Sequence, residues 1–335
     1  MFKGNKEIVS VIIITKNEDQ NIEDCLLSLL PEKNSYIYEV ILVDSNSDDK
    51  TREIAGKYKE KLNLQILNIK ESTHYNAGLS RSIGANAACG NLILFLDGDM
   101  VLKPEFLKKT IPLIDEKEVY GIIGLREDKV YSNGILIKTK KNTYGITHLR
   151  QAFHFGGALL ISKEAYLSVN GYKTNLYANE EPELYIRLKK YQYKILETPV
   201  PMITHHDTYI DKISKVKSLF SKRSISIGQV VRTSLQEKTL LELLKHRFLS
   251  RNAIPIIFDF ISLILLILAV FNVNFVFFVM IIQISMFIFL MMNNNLKNFI
   301  ISKLLVIQSM VGFFVNKPVY YRVEVDDHNQ FPHTP

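Results

Sequence analysis

Two aspartates one residue apart, Asp97 and Asp99, flank Gly98 at the end of the apolar run Asn91–Leu96 (NLILFL). Both carboxylates can reach one hard cation, and the glycine lets a bulky ligand approach the backbone. Mg2+ or Mn2+ suits such a pair, because each takes a few carboxylates and completes its shell with phosphate oxygens and water. The plain alternative is a turn with two solvated aspartates. The surroundings favour the cation. Lys16, Asn17 and Glu18 follow the apolar run Ile8–Thr15, and Asp44 closes the run Tyr38–Val43, so polar groups stand at the ends of three predicted strands.

The elements that must position these groups are readable. Ile8–Thr15, Tyr38–Val43, Leu64–Ile69 and Asn91–Leu96 are short, apolar and rich in β-branched residues, as strands buried on both faces are. Between them lie helical patterns over Asn21–Leu30, Asp49–Lys61 and Tyr75–Ala88, the last rich in Gly and Ala and so suited to close packing. That alternation predicts an α/β domain with an open, mostly parallel, Rossmann-like sheet and helices on both faces. Ligands of such sheets bind outside the carboxyl ends of the strands, where the polar residues named above converge.

Composition narrows the class. The chain has 335 residues, 47% hydrophobic and 22% charged, with a formal charge of +7. The apolar content, with 15 Gly and 10 Pro, excludes a disordered or collagen-like chain. Two cysteines, Cys25 and Cys89, exclude a disulfide framework and a four-cysteine zinc site, and both read as small buried hydrophobes. No signal peptide is visible. The runs 254–271 and 275–292 hold one charge between them, Asp259, and each is long enough for a membrane helix, which takes ~17–25 residues. They predict a transmembrane hairpin; a third run, 299–315, is interrupted by Lys303 and Gln308 and either spans or lies at the interface. Between Lys212 and Arg251 ten basic residues face two acids, so this segment carries a local +8. Such a segment predicts anionic membrane lipids as partners and a cytoplasmic orientation. Only Phe220 and Phe248 lie among these charges, so nucleic acid is not an expected partner. The expected organisation is a folded domain over 1–211, a basic amphipathic segment over 212–253, a membrane region over 254–315 and a polar tail over 316–335. The expected location is the cytoplasmic membrane, multi-pass, with the N-terminal domain in the cytoplasm.

Five motifs then occur in order: VSVIIITKNE (9–18), VILVDSNSDD (40–49), RSIGANAACGNLILFLDGD (81–99), FGGALLISKEAYLSVNGY (155–172) and NEEPELYIRL (179–188). Together they resemble the family 2 nucleotide-sugar glycosyltransferases, which have the GT-A fold. The resemblance covers about the first 210 residues. It implies transfer of a sugar from a nucleotide-diphosphate donor, with inversion at the anomeric carbon and Mn2+ or Mg2+ on the diphosphate. It places Thr15, Lys16, Asn17 and Glu18 along the nucleoside pocket and Asp44 at the base or ribose. Ser45 stands where the family often has a second acid. Arg81 matches an arginine near base and diphosphate, with a helix-surface arginine as the alternative. Asp97, Gly98 and Asp99 match the metal motif. Gly156 and Gly157 match a glycine turn beside sugar and acceptor, or form an ordinary strand-end turn.

Glu180-Glu181 matches the family's acidic pair, usually Glu-Asp. The chemistry needs a general base for the acceptor hydroxyl, and a carboxylate at a helix N-terminus beside a second carboxylate can be tuned for it. Glu181 is the expected base and Glu180 the fallback; acids that merely complement the helix dipole are the alternative. His206, chosen over His205, is the expected third metal ligand. The Gln-x-x-Arg-Trp motif of processive members is absent, since the chain has no Trp. Arg223 in its place is expected at the donor diphosphate or the acceptor. The expected enzyme is non-processive, with a lipid-linked or glycan acceptor. Richness in Ile, Lys and Asn hints at an AT-rich bacterial genome, and so at cell-surface polysaccharide or glycolipid synthesis. The competing expectations are a membrane-anchored nucleotide-sugar binder without activity, and a haloacid dehalogenase-type phosphatase using Asp97 as nucleophile.

Overall fold

The structure is a computed structural model that describes residues 8–116, 118–211, 214, 217, 221–246, 250–292 and 308–326. The chain divides into two compact units: Met1–Asn175 with Tyr191–Ile210 and Pro318–Pro335, and Leu176–Lys190 with Asp211–Lys317. This division differs from the expected boundaries in two places. The helix bearing Glu180 and Glu181 belongs to the second unit, and part of the expected polar tail belongs to the first.

The first unit is built on one sheet. Its parallel heart is β1 (Val9–Thr15), β2 (Ile37–Asp44), β3 (Leu64–Ser72) and β4 (Leu92–Asp97), in the order β3-β2-β1-β4. Val9, Val11, Ile12 and Ile13 of β1 are fully buried, as a central strand covered on both faces requires. The helix Ala77–Ala87 lies directly on β1 and β2. A Cβ on its Gly84 would run into Ile12 and stand 3.2 Å from Val43 Cγ2, so a small residue is needed there.

The expectation of a mostly parallel sheet is corrected beyond β4. The short strand β9 (Leu159–Ser162) runs antiparallel between β4 and β6 (Val119–Ser132). β10 (Lys194–Thr208) is parallel to β6, and β5 (Met100–Leu102) is antiparallel to β10. The hairpin partner β7 (Ile135–Lys140) and the two-residue β8 (Arg150–Gln151) hang on β6 and β10. On the far edge β11 (Tyr321–Val325) pairs antiparallel with β3, so the supposed polar tail supplies a strand. Its alternation, Tyr-Arg-Val-Glu-Val, is a strand pattern. Of the cysteines, Cys25 is buried as expected, whereas Cys89 is exposed.

The second unit is helical. The helix Ser226–Gln236 meets the helical residues 308–314 at backbone distance: a Cβ on Gly228 would strike Ser309 O, and one on Gly312 would strike Ile225 O. Leu176, Ile186, Ile227, Val230 and Leu243 form its buried core.

The membrane hairpin is corrected. Among the described residues no helix is long and apolar enough to cross a membrane. The two apolar runs fall on the helices Ser250–Leu268 and Asn274–Met292. Both carry polar groups that meet: Gln283 Nε2 donates to Asp259 Oδ1 (3.1 Å) and Ser262 Oγ (2.8 Å), so the apolar runs are interrupted where the helices pair. Many of their apolar side chains are exposed, among them Val270, Phe271 and Val273 at the turn. Residues 299–307 of the third run, and Lys212, Lys215 and Arg247 of the basic segment, lie outside the described residues.

One buried acid in the first unit yields a stability test. Glu32, in the helix Ile22–Lys33, is 4% exposed, and its Oε1 has no hydrogen-bond partner among the described residues. Burial raises its pKa above 4.5, although the Leu107 and Glu105 amides pull the other way. The fold thus prefers the protonated acid. Its contribution is complete below about 4.5 and is lost as pH rises through the raised value. Glu32→Gln should therefore stabilise the protein at pH 7 by about 1 kcal/mol and flatten this part of the pH profile, measured by urea unfolding at pH 4.5 and 7. A variant less stable than wild type at pH 7 would contradict this.

Candidate active site

The candidate residues of the first unit stand at the carboxyl ends of β1, β2 and β4. The loops after β1 and β2 are stitched together. Lys16 Nζ donates to Asn46 O (2.6 Å), the Asn17 amide to Ser47 Oγ (2.8 Å) and the Glu18 amide to Thr51 Oγ1 (2.8 Å). Asn17 adopts φ 58°, a left-handed conformation that asparagine tolerates. Asp44 ties the stitching. It is fully buried and accepts from Thr15 Oγ1 (2.8 Å), the Ser47 amide (2.7 Å) and Ser47 Oγ (2.6 Å). Both of its oxygens are occupied by its own loops.

β4 delivers Asp97, Gly98 and Asp99 beside this knot. A Cβ on Gly98 would stand 2.8 Å from Thr15 Cγ2 and 3.1 Å from Glu18 Cγ, so the motif presses on the first loop. Asp97 and Asp99 have different partners. Arg81, 1% exposed on the helix Ala77–Ala87, donates from Nη2 to Asp97 Oδ1 (2.8 Å) and lies over the Tyr172 ring. Gly157, just before β9, faces this pair: a Cβ there would strike the Asp97 carboxylate and stand 2.9 Å from Arg81 Nη2. At Gly156 a Cβ would stand 2.6 Å from Tyr144 Oη and 3.7 Å from Arg126 Nη1. The two glycines thus keep side chains out of the space beside Asp97 and Arg126.

Asp99 meets His205. Its Oδ2 lies 3.2 Å from His205 Nε2, while its Oδ1 is buried and has no hydrogen-bond partner among the described residues. On the ring's other side Nδ1 lies 3.1 Å from Asp128 Oδ1 and 2.8 Å from Arg126 Nη2. Burial disfavours the charged imidazole, but the hydrogen bond to Asp99 and its charge prevail, so the His205 pKa is raised. Glu18 shows the same crowding of acids. Burial, with Asp99, Asp97 and Asp49 nearby, pushes it up to about 7 despite a hydrogen bond from Asn21.

His206 is placed elsewhere. Neighbouring residues of a strand face opposite ways, so only one of the two histidines can meet Asp99. The His206 ring packs on Tyr131, with 5.7 Å between centroids, and lines a depression with Asp24, Lys103, Lys129 and Thr204. Burial and Lys129 lower its pKa. The structure thus brings Asp97, Asp99, Arg81, Gly98, Gly156 and Gly157 together and adds Arg126, Asp128 and His205, which sequence reasoning passed over. The alternation of β10 says that the two histidines face opposite ways, and the pairing with β5 and β6 says which of them meets Asp99. No signal existed for Arg126 and Asp128 without the pairing of β6 with β10.

A divalent cation fits these residues in part. Among the described residues no group of three or more His, Cys, Asp and Glu is placed to hold a metal ion, and His206 is turned away from Asp99, so Asp97, Asp99 and His206 do not form the expected set. Asp97 is held by Arg81. The orphaned Asp99 Oδ1, however, is a buried anionic oxygen in want of a positive partner, with an imidazole beside it; a hard cation satisfies both.

In the second unit Glu180 and Glu181 open the helix Glu180–Lys190; Glu180 is buried and Glu181 half-buried. Asn179 Nδ2 donates to Ser226 Oγ (2.5 Å), and Glu183 binds Arg187 through two hydrogen bonds of 2.7 and 2.6 Å, fastening the first turns. Arg223 is exposed in the 3-10 turn Lys222–Ile225.

Known proteins resemble this chain in sequence and in fold. Residues 10–168, a little under half of the chain, match the family Glycosyl transferase family 2. Over 108 residues it is 35% identical to the poly(ribitol-phosphate) beta-N-acetylglucosaminyltransferase TarS of Staphylococcus aureus, covering 32% of this chain and 19% of TarS. The chain thus spans about a fifth of that relative's length. The crystal structure of S. aureus TarS 1-349 with UDP-GlcNAc superposes with a TM-score of 0.53 at 19% identity, covering 72% of this chain and 67% of that one. GalNAc-T7 with UDP, GalNAc and Mn2+ gives 0.53 at 16% identity, covering 69% and 48%. The fold is accordingly the mixed α/β, GT-A-like fold of these enzymes.

The Arg81–Asp97 pair is the part of this site whose loss unfolding should register. Arg81 is buried while Asp97 is 30% exposed, so losing the guanidinium leaves a partly solvated carboxylate and an empty place over Tyr172, and Arg81→Ala should cost about 2 kcal/mol in urea unfolding. Arg223→Ala, at an exposed position, should stay within about 0.5 kcal/mol of wild type. Equal effects of the two would contradict the assigned geometry.

Proposed function

We propose that this chain is an inverting, metal-assisted glycosyltransferase that moves a sugar from a nucleotide-diphosphate donor to a hydroxyl of a glycan or lipid-linked acceptor, one transfer per encounter. The observation that carries the proposal is the buried, unpartnered Asp99 Oδ1, beside the Arg81–Asp97 pair at the carboxyl end of a parallel sheet. Asp99 with His205 would hold the cation, and Asp97 would stand by with its charge balanced by Arg81. A bound Mn2+ or Mg2+ supplies positive charge against the negative charge that builds on the departing diphosphate. The loop Thr15–Glu18, fixed through Asp44, offers the nucleoside an ordered wall. Gly156 and Gly157 leave space for the sugar.

Glu181 takes the proton from the acceptor hydroxyl as its oxygen bonds to the anomeric carbon. The bond from that carbon to the diphosphate oxygen breaks on the opposite face, which inverts the centre. The support for Glu181 over Glu180 is the sequence resemblance together with its greater exposure in the first helical turn. Arg223, exposed and cationic, is assigned to a phosphate of donor or acceptor. The similarity to TarS, a poly(ribitol-phosphate) beta-N-acetylglucosaminyltransferase whose structure holds UDP-GlcNAc, makes UDP-GlcNAc the first donor to test, with bacterial surface polysaccharide or glycolipid as the acceptor class.

The test is incubation with UDP-GlcNAc and a panel of other nucleotide sugars, with Mn2+ or Mg2+, scored by released nucleoside diphosphate. Activity should vanish with EDTA. Asp99→Asn should lose at least about 100-fold, the scale of losing charge stabilisation at a reacting centre. Glu181→Gln should bind donor as wild type does but lose transfer. Release from no donor would refute the proposal, and a fully active Glu181→Gln would move the base to another residue.

A further inference from the structure

His205 stands between two carboxylates, with Nε2 3.2 Å from Asp99 Oδ2 and Nδ1 3.1 Å from Asp128 Oδ1. Nδ1 is also 2.8 Å from Arg126 Nη2, a donor. One ring nitrogen cannot accept from Arg126 and donate to Asp128 at once. Two arrangements are therefore built in. With the ring's proton on Nε2, the imidazole donates to Asp99 and Nδ1 accepts from Arg126. With the proton on Nδ1, it donates to Asp128, and the Nε2 lone pair faces Asp99. Only the second arrangement can ligate a cation.

Asp128 is fixed for this purpose. It accepts from Arg126 Nε (2.7 Å) and from Thr143 Oγ1, which hold its carboxylate in place. Arg126 and Asp128 alternate on β6, so they share one face. Asp128 is the register partner of His205 across the parallel β6–β10 ladder. The backbone therefore sets the carboxylate opposite the ring.

We propose that Asp128 is a positioning residue. It accepts the hydrogen bond from His205 Nδ1–H and so presents the Nε2 lone pair beside Asp99, while Arg126 supports the ring in the other arrangement. A ring that carries both protons gives its Nε2 proton to water when a cation binds and keeps the one on Nδ1; a neutral ring protonated on Nε2 gives that proton to water and takes one from water at Nδ1. This rests on the cation reading above but concerns residues which that reading leaves unexplained.

The test is titration with Mn2+ alone, followed by the electron paramagnetic resonance of free Mn2+. Asp128→Asn should weaken binding about 10–100-fold, the usual cost of losing a ligand's supporting partner. In a His205→Ala background the same change should cost nothing more. Thr143→Ala, which spares the carboxylate, should bind within a few-fold of wild type. Wild-type binding by Asp128→Asn, or an undiminished loss in the His205→Ala background, would overturn the proposal. A second measurement needs no variant. Histidine 15N spectra of the wild type with added Mg2+ should show His205 protonated at Nδ1 and bare at Nε2; a bare Nδ1 would overturn it. If the wild type binds no Mn2+, the cation reading fails and the positioning role falls with it, an outcome distinct from a failure confined to Asp128.

Discussion

Two carboxylates separated by one glycine at the end of a buried strand repel one another, and each is met by its own partner, Asp97 by Arg81 and Asp99 by His205. Much of the first unit serves to bring those partners in. The helix Ala77–Ala87 carries Arg81 to Asp97, and its packing on β1 and β2 needs the small Gly84. β10 carries His205 to Asp99, and β6 carries Arg126 and Asp128 to the far side of the imidazole. Gly157 has no side chain because one would intrude on the Asp97–Arg81 pair. One valence remains open, Asp99 Oδ1, and the account of function starts there.

Asp44 shows how one residue type serves two ends. At the close of a buried strand it reads as a ligand-holding acid, yet its carboxylate is spent on Thr15 and Ser47. It holds the loop Thr15–Glu18 against the loop 45–51. Asp97 is similar in part, since Arg81 already neutralises it.

Much of this was legible in sequence. β1 and β2 are apolar runs rich in β-branched residues, and the polar residues after β1, β2 and β4 gather at one edge of the sheet. Asp97, Gly98, Asp99, Arg81 and the two glycines come together in the structure, on strands and turns that local runs and spacing encode. The choice between His205 and His206 is a matter of strand parity, fixed only once β10 is paired with β6 and β5. Arg126 and Asp128 were illegible for the same reason: β6 and β10 are joined by no local signal, and their ladder is a long-range contact. β11 lies still farther from its partner β3 along the chain. The apolar runs misled because hydropathy counts side chains one at a time, whereas Gln283, Asp259 and Ser262 matter through their pairing.

The central claim is that Asp99 and His205 form the cation-binding heart of a sugar-transfer site. The most direct measurement is anomalous diffraction from crystals grown with Mn2+ and UDP-GlcNAc. The account predicts a manganese peak at bonding distance, ~2.1–2.3 Å, from Asp99 Oδ1 and His205 Nε2, with the diphosphate on its open side. A manganese bound at His206, or a diphosphate bound away from Asp99 with no metal between them, would contradict it.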